Sequence, residues 1–375
     1  MRFADIPGHE AEKERLRRMA DGRRIPHALL LHGTPGIGKF ALARAFAQYI
    51  HCTDRTPDGD SCGRCPNCLQ HVSHNHIDTI YSFPVLKRAG GKATISNDYI
   101  AEFRQYLDRD IFLDIAAWPA VIGKPDSQPM IYADDAAYII DRLTLTAHQS
   151  EYKIVLMWLP ERLGTEAANK LLKAIEEPSH DTIFILTSDN PAGILGTIYS
   201  RTQRIEVQPY TEEEIAGYLM RRYKAASAAA LAAARLAEGS MHAARLLLAE
   251  DAERAEQLEL FKELMRKAWQ RKVIDLRAWS QQVAALGREG SIRFYEYCSR
   301  LIRENFILNL REPALNALTE AEQQFCSRFS PYVNERNVIE IAQILDRAIS
   351  DVRGNGNGKL ISFDVAVQMI LLLKR

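Results

Sequence analysis

Neither sign of charge dominates this chain: 48 Lys and Arg residues are matched by 48 Asp and Glu residues. The basic surplus that draws nucleic acid or an anionic surface is absent, so any DNA contact has to come from a local patch or from partners. Cysteine is scarce as well, six in 375 residues, too few for a disulfide scaffold. No apolar run approaches the ~20 residues that a membrane span requires, and no charged-apolar-small leader opens the sequence. The expectation is a soluble, cytoplasmic protein with no membrane partner, long enough for two or three domains.

Two chemical groups are missing from a frame that otherwise suits a nucleotide hydrolase. Gly33 to Phe40 read GTPGIGKF and follow the phosphate-binding pattern G-x-x-x-x-G-K-[ST] up to its last position. Gly33, Gly36 and Gly38 permit a tight turn and close backbone approach, and Lys39 offers a positive charge to a phosphate. The terminal hydroxyl that holds Mg²⁺ on the nucleotide is lacking, because Phe40 has no oxygen. In such folds a buried strand also ends in acidic residues that hold Mg²⁺ and orient the attacking water. The candidate strand 154–158 has Trp158 and Leu159 at that place. Glu161, beyond Pro160, reads as a helix-start residue near the positive end of a macrodipole. Intrinsic ATP hydrolysis is therefore not expected. Binding of ATP or ADP stays open, since the glycines and Lys39 remain.

The cysteines that are present are concentrated. Cys52, Cys62, Cys65 and Cys68 follow the spacing C-x9-C-x2-C-x2-C. Two-residue spacers let successive thiolates converge on one ion, a longer loop brings in the fourth, and four sulfurs suit tetrahedral Zn²⁺. Unligated buried thiols would sit among apolar neighbours, whereas these sit among Asp, Arg, Asn and Gly. A redox pair would need two cysteines on a strand-to-helix turn. A closed four-thiolate set leaves no open position for substrate, so the zinc is expected to be structural. His51, His71, His74 and His76 lie close by and could replace a ligand, but most read as loop or surface histidines.

Up to about residue 210, short apolar strands alternate with helical patterns, as in a mostly parallel sheet covered on both faces. The strands are expected at 27–31, 77–81, 154–158, 183–186 and 204–207. Ala168, Leu171, Leu172 and Ile175 form an i, i+3, i+4, i+7 stripe that Pro178 stops. Residues 82–128 fit the alternation poorly; Gly90-Gly91, Pro119 and Pro125 mark an insertion expected to decorate the surface. Its basic patch, Lys87, Arg88 and Lys92, reads as a solvated face. Thr211, followed by Glu212, Glu213 and Glu214, is an N-cap with acids in the first turn. The fold class expected is an α/β P-loop-type parallel sheet domain over 1–210, with a zinc module at 52–68 and the insertion at 82–128. A small helical domain over 211–255 and an all-α C-terminal domain over 256–375 follow it. A Gly-Asn-Gly-Asn-Gly loop at 354–358 precedes a densely apolar last helix.

Four stretches together carry a resemblance. Ile25-Pro26-His27-Ala28-Leu29-Leu30 runs into the loop Gly33 to Lys39, and the four cysteines come directly after the helix behind that loop. Ala168 to Pro178 read ANKLLKAIEEP, similar to "ANALLKTLEEP", and Ser200-Arg201-Thr202-Gln203 is similar to "SRCQ". The chain resembles the delta-prime family of bacterial DNA polymerase III clamp-loader subunits, within the AAA+ superfamily. That resemblance implies an AAA+ domain, a helical lid over 211–255 and a helical oligomerisation collar over 256–375 that joins other subunits in a ring. It implies clamp-loader ATPase and delta-type subunits as partners, with the sliding clamp and primed DNA reached through the complex. Such a complex is part of the DNA-directed DNA polymerase holoenzyme. The family's serine-arginine-cysteine motif supplies an arginine to ATP on the neighbouring subunit, which here is Arg201, with Thr202 in place of the cysteine. Active relatives carry Gly-Ser-x-Arg early in a lid helix; Gly239-Ser240-Met241-His242 has a histidine there, a weaker and pH-dependent substitute for the arginine. A motor of the gamma/tau kind would need the missing hydroxyl and acids. A DNA-binding zinc protein is disfavoured by the neutral charge.

Overall fold

The computed structural model describes residues 1–88, 90, 93–124, 127–178, 181–309 and 318–374. Gly91, Lys92 and Pro125 of the insertion lie outside them. The chain divides into two compact units, Met1–Leu248 and Ala249–Arg375.

In the first unit, β1 (Ala28–His32), β2 (Thr79–Ser82), β3 (Lys153–Trp158), β4 (Thr182–Ser188) and β5 (Gln203–Glu206) form one sheet. Its order is β2-β3-β4-β1-β5 and every neighbouring pair is parallel. All five strands lie within two residues of the limits expected from the sequence. Strands buried on both faces are nearly continuous apolar runs, as the central β1, β3 and β4 are, whereas the edge strand β5 buries only Ile205. Leu29, Leu31, Ile154, Leu156 and Ile185 face one layer of the core, while Ala28, Leu30, Val155, Met157 and Phe184 face the other. The register sets Leu30 of β1 between Leu186 of β4 and Arg204 of β5.

The connections supply helices α1 (Glu10–Asp21), α2 (Lys39–His51), α3 (Pro66–Val72), α4 (Ile100–Arg109), α5 (Trp118–Val121), α6 (Ala133–Thr144), α7 (Thr165–Glu176) and α8 (Gly196–Tyr199). Helix α2 packs into one core layer, and α6 and α7 pack into the other, where Ala168, Leu171 and Ile175 are buried as their spacing requires. Beyond the sheet come α9 (Glu212–Tyr223), α10 (Ser227–Leu236) and α11 (Met241–Trp269), and the division between the units falls within α11. Thr211 caps α9 as expected, accepting from the Glu214 N–H while Glu214 accepts from its own.

The insertion does not decorate the surface. Phe83, Phe103, Phe112 and Trp118 are fully buried. The rings of Phe83 and Phe103 stack with centroids 3.8 Å apart, and the Trp118 indole N–H donates to the Pro84 carbonyl at 2.7 Å. The glycines and prolines correctly mark a break in the strand–helix alternation. Exposure does not follow from that break, because aromatic side chains carry too much apolar area to leave in water. Asp135 of α6 fastens the segment at its root, accepting from Ser82 Oγ and from the Ser96 N–H, both at 2.6 Å.

In the second unit, α12 (Val273–Ala285), α13 (Gly287–Asn309), α14 (Glu320–Phe329), α15 (Val338–Arg353) and α16 (Gly358–Leu372) enclose a core around Phe261, Trp279, Phe294 and Tyr295. The Tyr295 hydroxyl lies 2.7 Å from Ser362 Oγ and ties α13 to α16. The Asn337 amide donates to the Leu372 carbonyl at 3.1 Å and fixes the end of α16.

Candidate functional site

The phosphate loop joins β1 to α2 and folds as its glycines allow, with Gly36 and Gly38 at φ +75° and +83°. Gly36 is required by its neighbour as well as by its backbone. A Cβ there would lie 2.3 Å from Ser240 Oγ and 2.7 Å from His242 Cβ, and the His242 N–H donates to the Gly36 carbonyl at 3.1 Å. Lys39 is turned inward. Its ammonium sits 2.7 Å from Asp189 and donates to the Thr34 carbonyl at 2.5 Å. Burial lowers the Lys39 pKa, and the Asp189 carboxylate works against that fall. The space left between Gly36, Lys39, Phe40, Leu113, Trp158 and Asp189 is about 10 Å³. One water needs roughly 10–15 Å³. In this arrangement the space is no larger than a single water.

What fills the site is aromatic. Phe40, at the start of α2, lies 6.4 Å from the Trp158 ring at the end of β3 and 5.8 Å edge-on from Phe103 of the insertion. Phe40 and Trp158 are both buried. Next to Trp158, Leu159 adopts a left-handed backbone at φ +60° and donates its N–H to the Thr187 carbonyl. Glu161 starts a short 3-10 turn and accepts from the N–H groups of Asp189 and Asn190 at 2.8 and 3.0 Å, which braces the end of β4.

Two cations on α11 complete the closure. His242 lies 3.6 Å from Asp110 and 3.5 Å from Asp114, and Arg245 pairs with Asp110. Asp110 first, then Asp114, raise the His242 pKa to about 9. The histidine is thus a cation at neutral pH, half-buried between carboxylates of the insertion rather than a group that titrates near neutrality. Sequence reasoning missed Arg245, although it follows His242 by one helical turn on the same face. It also missed Asp110, Asp114 and Asp189, which no motif marks.

Arg201 stands between α8 and β5. Its guanidinium lies 2.9 Å from Glu176, donates to the Thr197 carbonyl at 3.0 Å, and its side chain is one-third exposed. Glu176 belongs to the LLKAIEEP stretch, so the two motifs read separately in the sequence meet at this pair.

The four thiols also meet. The sulfurs of Cys52, Cys62, Cys65 and Cys68 lie within 4.8 Å of one another, and none is in a disulfide. Backbone N–H groups point at them: Cys62 donates to Cys52 Sγ and Cys65 to Cys62 Sγ, each at 3.3 Å, and Cys68 donates to Cys65 Sγ at 3.5 Å. Burial opposes ionisation of Cys65, but hydrogen bonds from Cys68 and Thr53 outweigh it and hold the thiol below its ordinary range. Burial pushes the Cys52 and Cys68 thiols the other way, so without an ion the set is not uniformly ionised. Four converging sulfurs nevertheless fit a tetrahedral zinc ion, whose charge would hold them as thiolates and which would close the loop 52–68 as a staple.

Of the histidines beside this set, His51 and His71 are on helices and His74 and His76 on the loop before β2, as expected for the latter pair, but all four are buried rather than at the surface. His51 Nδ1 lies 2.9 Å from His71 Nε2, and His51 Nε2 lies 2.9 Å from the Tyr152 carbonyl. His76 stacks on both rings at 4.2 and 4.5 Å. One ring nitrogen from each of the three lies within 4.8 Å of the others, close enough for a second ion.

The family model described as "DNA polymerase III, delta subunit" matches residues 8–211. The DNA polymerase III subunit delta' of Yersinia pestis is 32% identical over 177 residues, 47% of this chain and 39% of that protein. The subunit delta' of Escherichia coli (strain K12) is 30% identical over 226 residues, 60% of this chain and 55% of that protein. The DNA polymerase III subunit tau of Bacillus subtilis (strain 168) is 27% identical over 216 residues, 58% of this chain and 31% of that protein. The chain thus spans about half, or less, of the length of these relatives. With its phosphate loop, cysteine set and parallel sheet all inside the matched segment, this chain belongs to the DNA polymerase III delta subunit family and is of the delta-prime kind.

Proposed function

We propose that this protein is a clamp-loader subunit that keeps its own nucleotide site shut and lends Arg201 to ATP held by a neighbouring ATPase subunit. The contrast between Lys39 and Arg201 carries the reading. The cation that would serve a bound nucleotide is buried on Asp189, while the cation that would serve a neighbour is held at the surface by Glu176. A guanidinium is always charged, and its planar fork suits phosphate oxygens. On this reading 211–255 acts as a fixed lid, 256–375 as the collar, and the zinc ion as a fold staple. The ATPase and delta-type subunits are the partners, and the sliding clamp and primed DNA are reached through the assembly in the cytoplasm. Among the described residues no helix is long and apolar enough to cross a membrane.

The match to a tau subunit favours a second reading, an active ATPase. Phe40, Trp158 and the Lys39–Asp189 pair oppose it, since each occupies a position that hydrolysis would need for metal or phosphate. The two readings separate in one experiment. The isolated chain should hydrolyse ATP no faster than buffer, yet co-elute with clamp-loader ATPase and delta-type subunits in size-exclusion chromatography. Hydrolysis by the lone chain that Lys39→Ala abolishes would establish the second reading instead.

A further inference from the structure

Three histidines gather next to the cysteine set without belonging to it. His51 ends α2, His71 lies in the last turn of α3, and His76 follows on the loop before β2. All three are buried, and one ring nitrogen from each lies within 4.8 Å of the others. Shape alone would be met at lower cost by apolar rings, since each imidazole takes polar nitrogens out of water. Burial also favours the uncharged imidazole, which keeps one lone pair per ring for a ligand.

The hydrogen bonds show where the lone pairs are. His51 Nε2 lies 2.9 Å from the Tyr152 carbonyl, which can only accept, so Nε2 carries the ring hydrogen and Nδ1 is left as the lone pair. A carbonyl in that position is a usual outer partner of a metal-ligating histidine. His51 Nδ1 lies 2.9 Å from His71 Nε2. Two nitrogens at ~2.0–2.1 Å from a tetrahedral ion stand about 3.3 Å apart, so this pair has to open by only a few tenths of an ångström. His71 then carries its hydrogen on Nδ1, and the ion replaces the hydrogen between the two rings. His76 has further to go. Its ring is stacked on the other two, and ligation needs the ion in the ring plane, so the side chain must turn. What it gives up is weak: Nδ1 accepts from the Asp78 N–H at 3.2 Å and Nε2 lies 3.4 Å from Ser150 Oγ, at or beyond the far end of hydrogen-bond range. His76 also lines a groove of about 450 Å³ beside β2, which gives an ion a way in and a water for its fourth position.

We infer that His51, His71 and His76 form a second metal site, for a divalent transition ion such as Zn²⁺. Imidazole nitrogens suit such ions, whereas Mg²⁺ and Ca²⁺ take oxygen ligands. The Asp78 carboxylate close by is engaged by the N–H groups of His148, Gln149 and Ser150. With no thiolate in the set, the ion is held less tightly than on the four cysteines and is taken up from added metal. It ties the ends of α2 and α3 to the loop that leads into β2.

The experiment starts from the full chain with one zinc on its cysteines, verified by elemental analysis, and titrates it calorimetrically with Co²⁺. One cobalt ion should bind per chain, and X-ray absorption at the cobalt edge should show nitrogen and oxygen neighbours without sulfur. His76→Gln should weaken this binding at least tenfold with the zinc retained. His148→Gln, which removes an exposed histidine outside the set, should bind cobalt as the native chain does. The absorption spectrum of the native chain decides the question even if a buried substitution disturbs folding. No cobalt bound, sulfur among its neighbours, or affinity that survives His76→Gln would overturn the inference.

Discussion

The rings of Phe40 and Trp158 lie 6.4 Å apart in one buried cluster, though one residue opens α2 and the other ends β3. These are the two positions where a hydrolysing relative would hold its magnesium. The two departures are therefore one packing solution: the space that a metal and phosphates would occupy is filled by side chains that hold the insertion against the sheet. Phe103 of 82–128 packs against both rings, so the same cluster joins these two positions to the insertion.

Phe40→Ala should accordingly behave as a core truncation. Such changes cost about 3–5 kcal/mol, read here as a lowered denaturation midpoint in urea. Phe40→Thr, which restores the hydroxyl, should lose stability as well and gain no ATP hydrolysis, because Lys39 stays on Asp189. A stability change under about 1 kcal/mol in Phe40→Ala would contradict the packing role.

Zinc should be present at one ion per chain in protein purified without added metal, as elemental analysis would report. Structural zinc in small modules binds with apparent energies of ~10–16 kcal/mol. Cys65→Ser should therefore release the ion and raise hydrogen exchange within 52–68, leaving the sheet folded. Protein without zinc, or with a disulfide inside the set, would refute the staple.

The contact of His242 with Asp110 and Asp114 should depend on pH in a defined window. The folded-state pKa of His242, about 9, lies above its ordinary value of 6.5. The stability it contributes is complete below about 6.5 and is lost as pH rises through about 9. Asp110 and Asp114 are held below the ordinary carboxylate value, so their part is present above about 4 and is lost as pH falls further. Protection of amides near 239–245 should fall between pH 7 and 9.5 in the native chain and show no such step in His242→Gln. An identical step in both proteins would show that another group controls the contact.

Much of this was legible beforehand, for identifiable reasons. The five strands are short apolar runs with turn residues on either side, and the cysteine spacing points to one ion whatever surrounds it. The burial of 82–128 was hidden, because Phe83, Phe103 and Trp118 are far apart in sequence and share no period. The closure of Lys39 was hidden for a similar reason. Asp189 lies 150 residues away at the end of β4, and only the parallel order that sets β4 beside β1 brings it near. Asp110 and Asp114 of the insertion sit where no repeat or motif operates. Chain connectivity can be read locally, whereas charge pairing across a sheet cannot.

Arg201 offers the most direct measurement. Its pair with Glu176 is partly exposed, and such pairs are worth ~0–1 kcal/mol. Arg201→Ala should therefore fold and assemble with the ATPase and delta-type subunits as the native chain does, as size-exclusion chromatography would confirm. A trans arginine can contribute ~10³–10⁵ in rate at the site it serves. DNA- and clamp-stimulated ATP hydrolysis by the reconstituted complex should then fall by the share of that one site, and clamp loading with it. A complex that contains Arg201→Ala, assembles normally and keeps native ATPase and loading rates would show that Arg201 serves only its pair with Glu176.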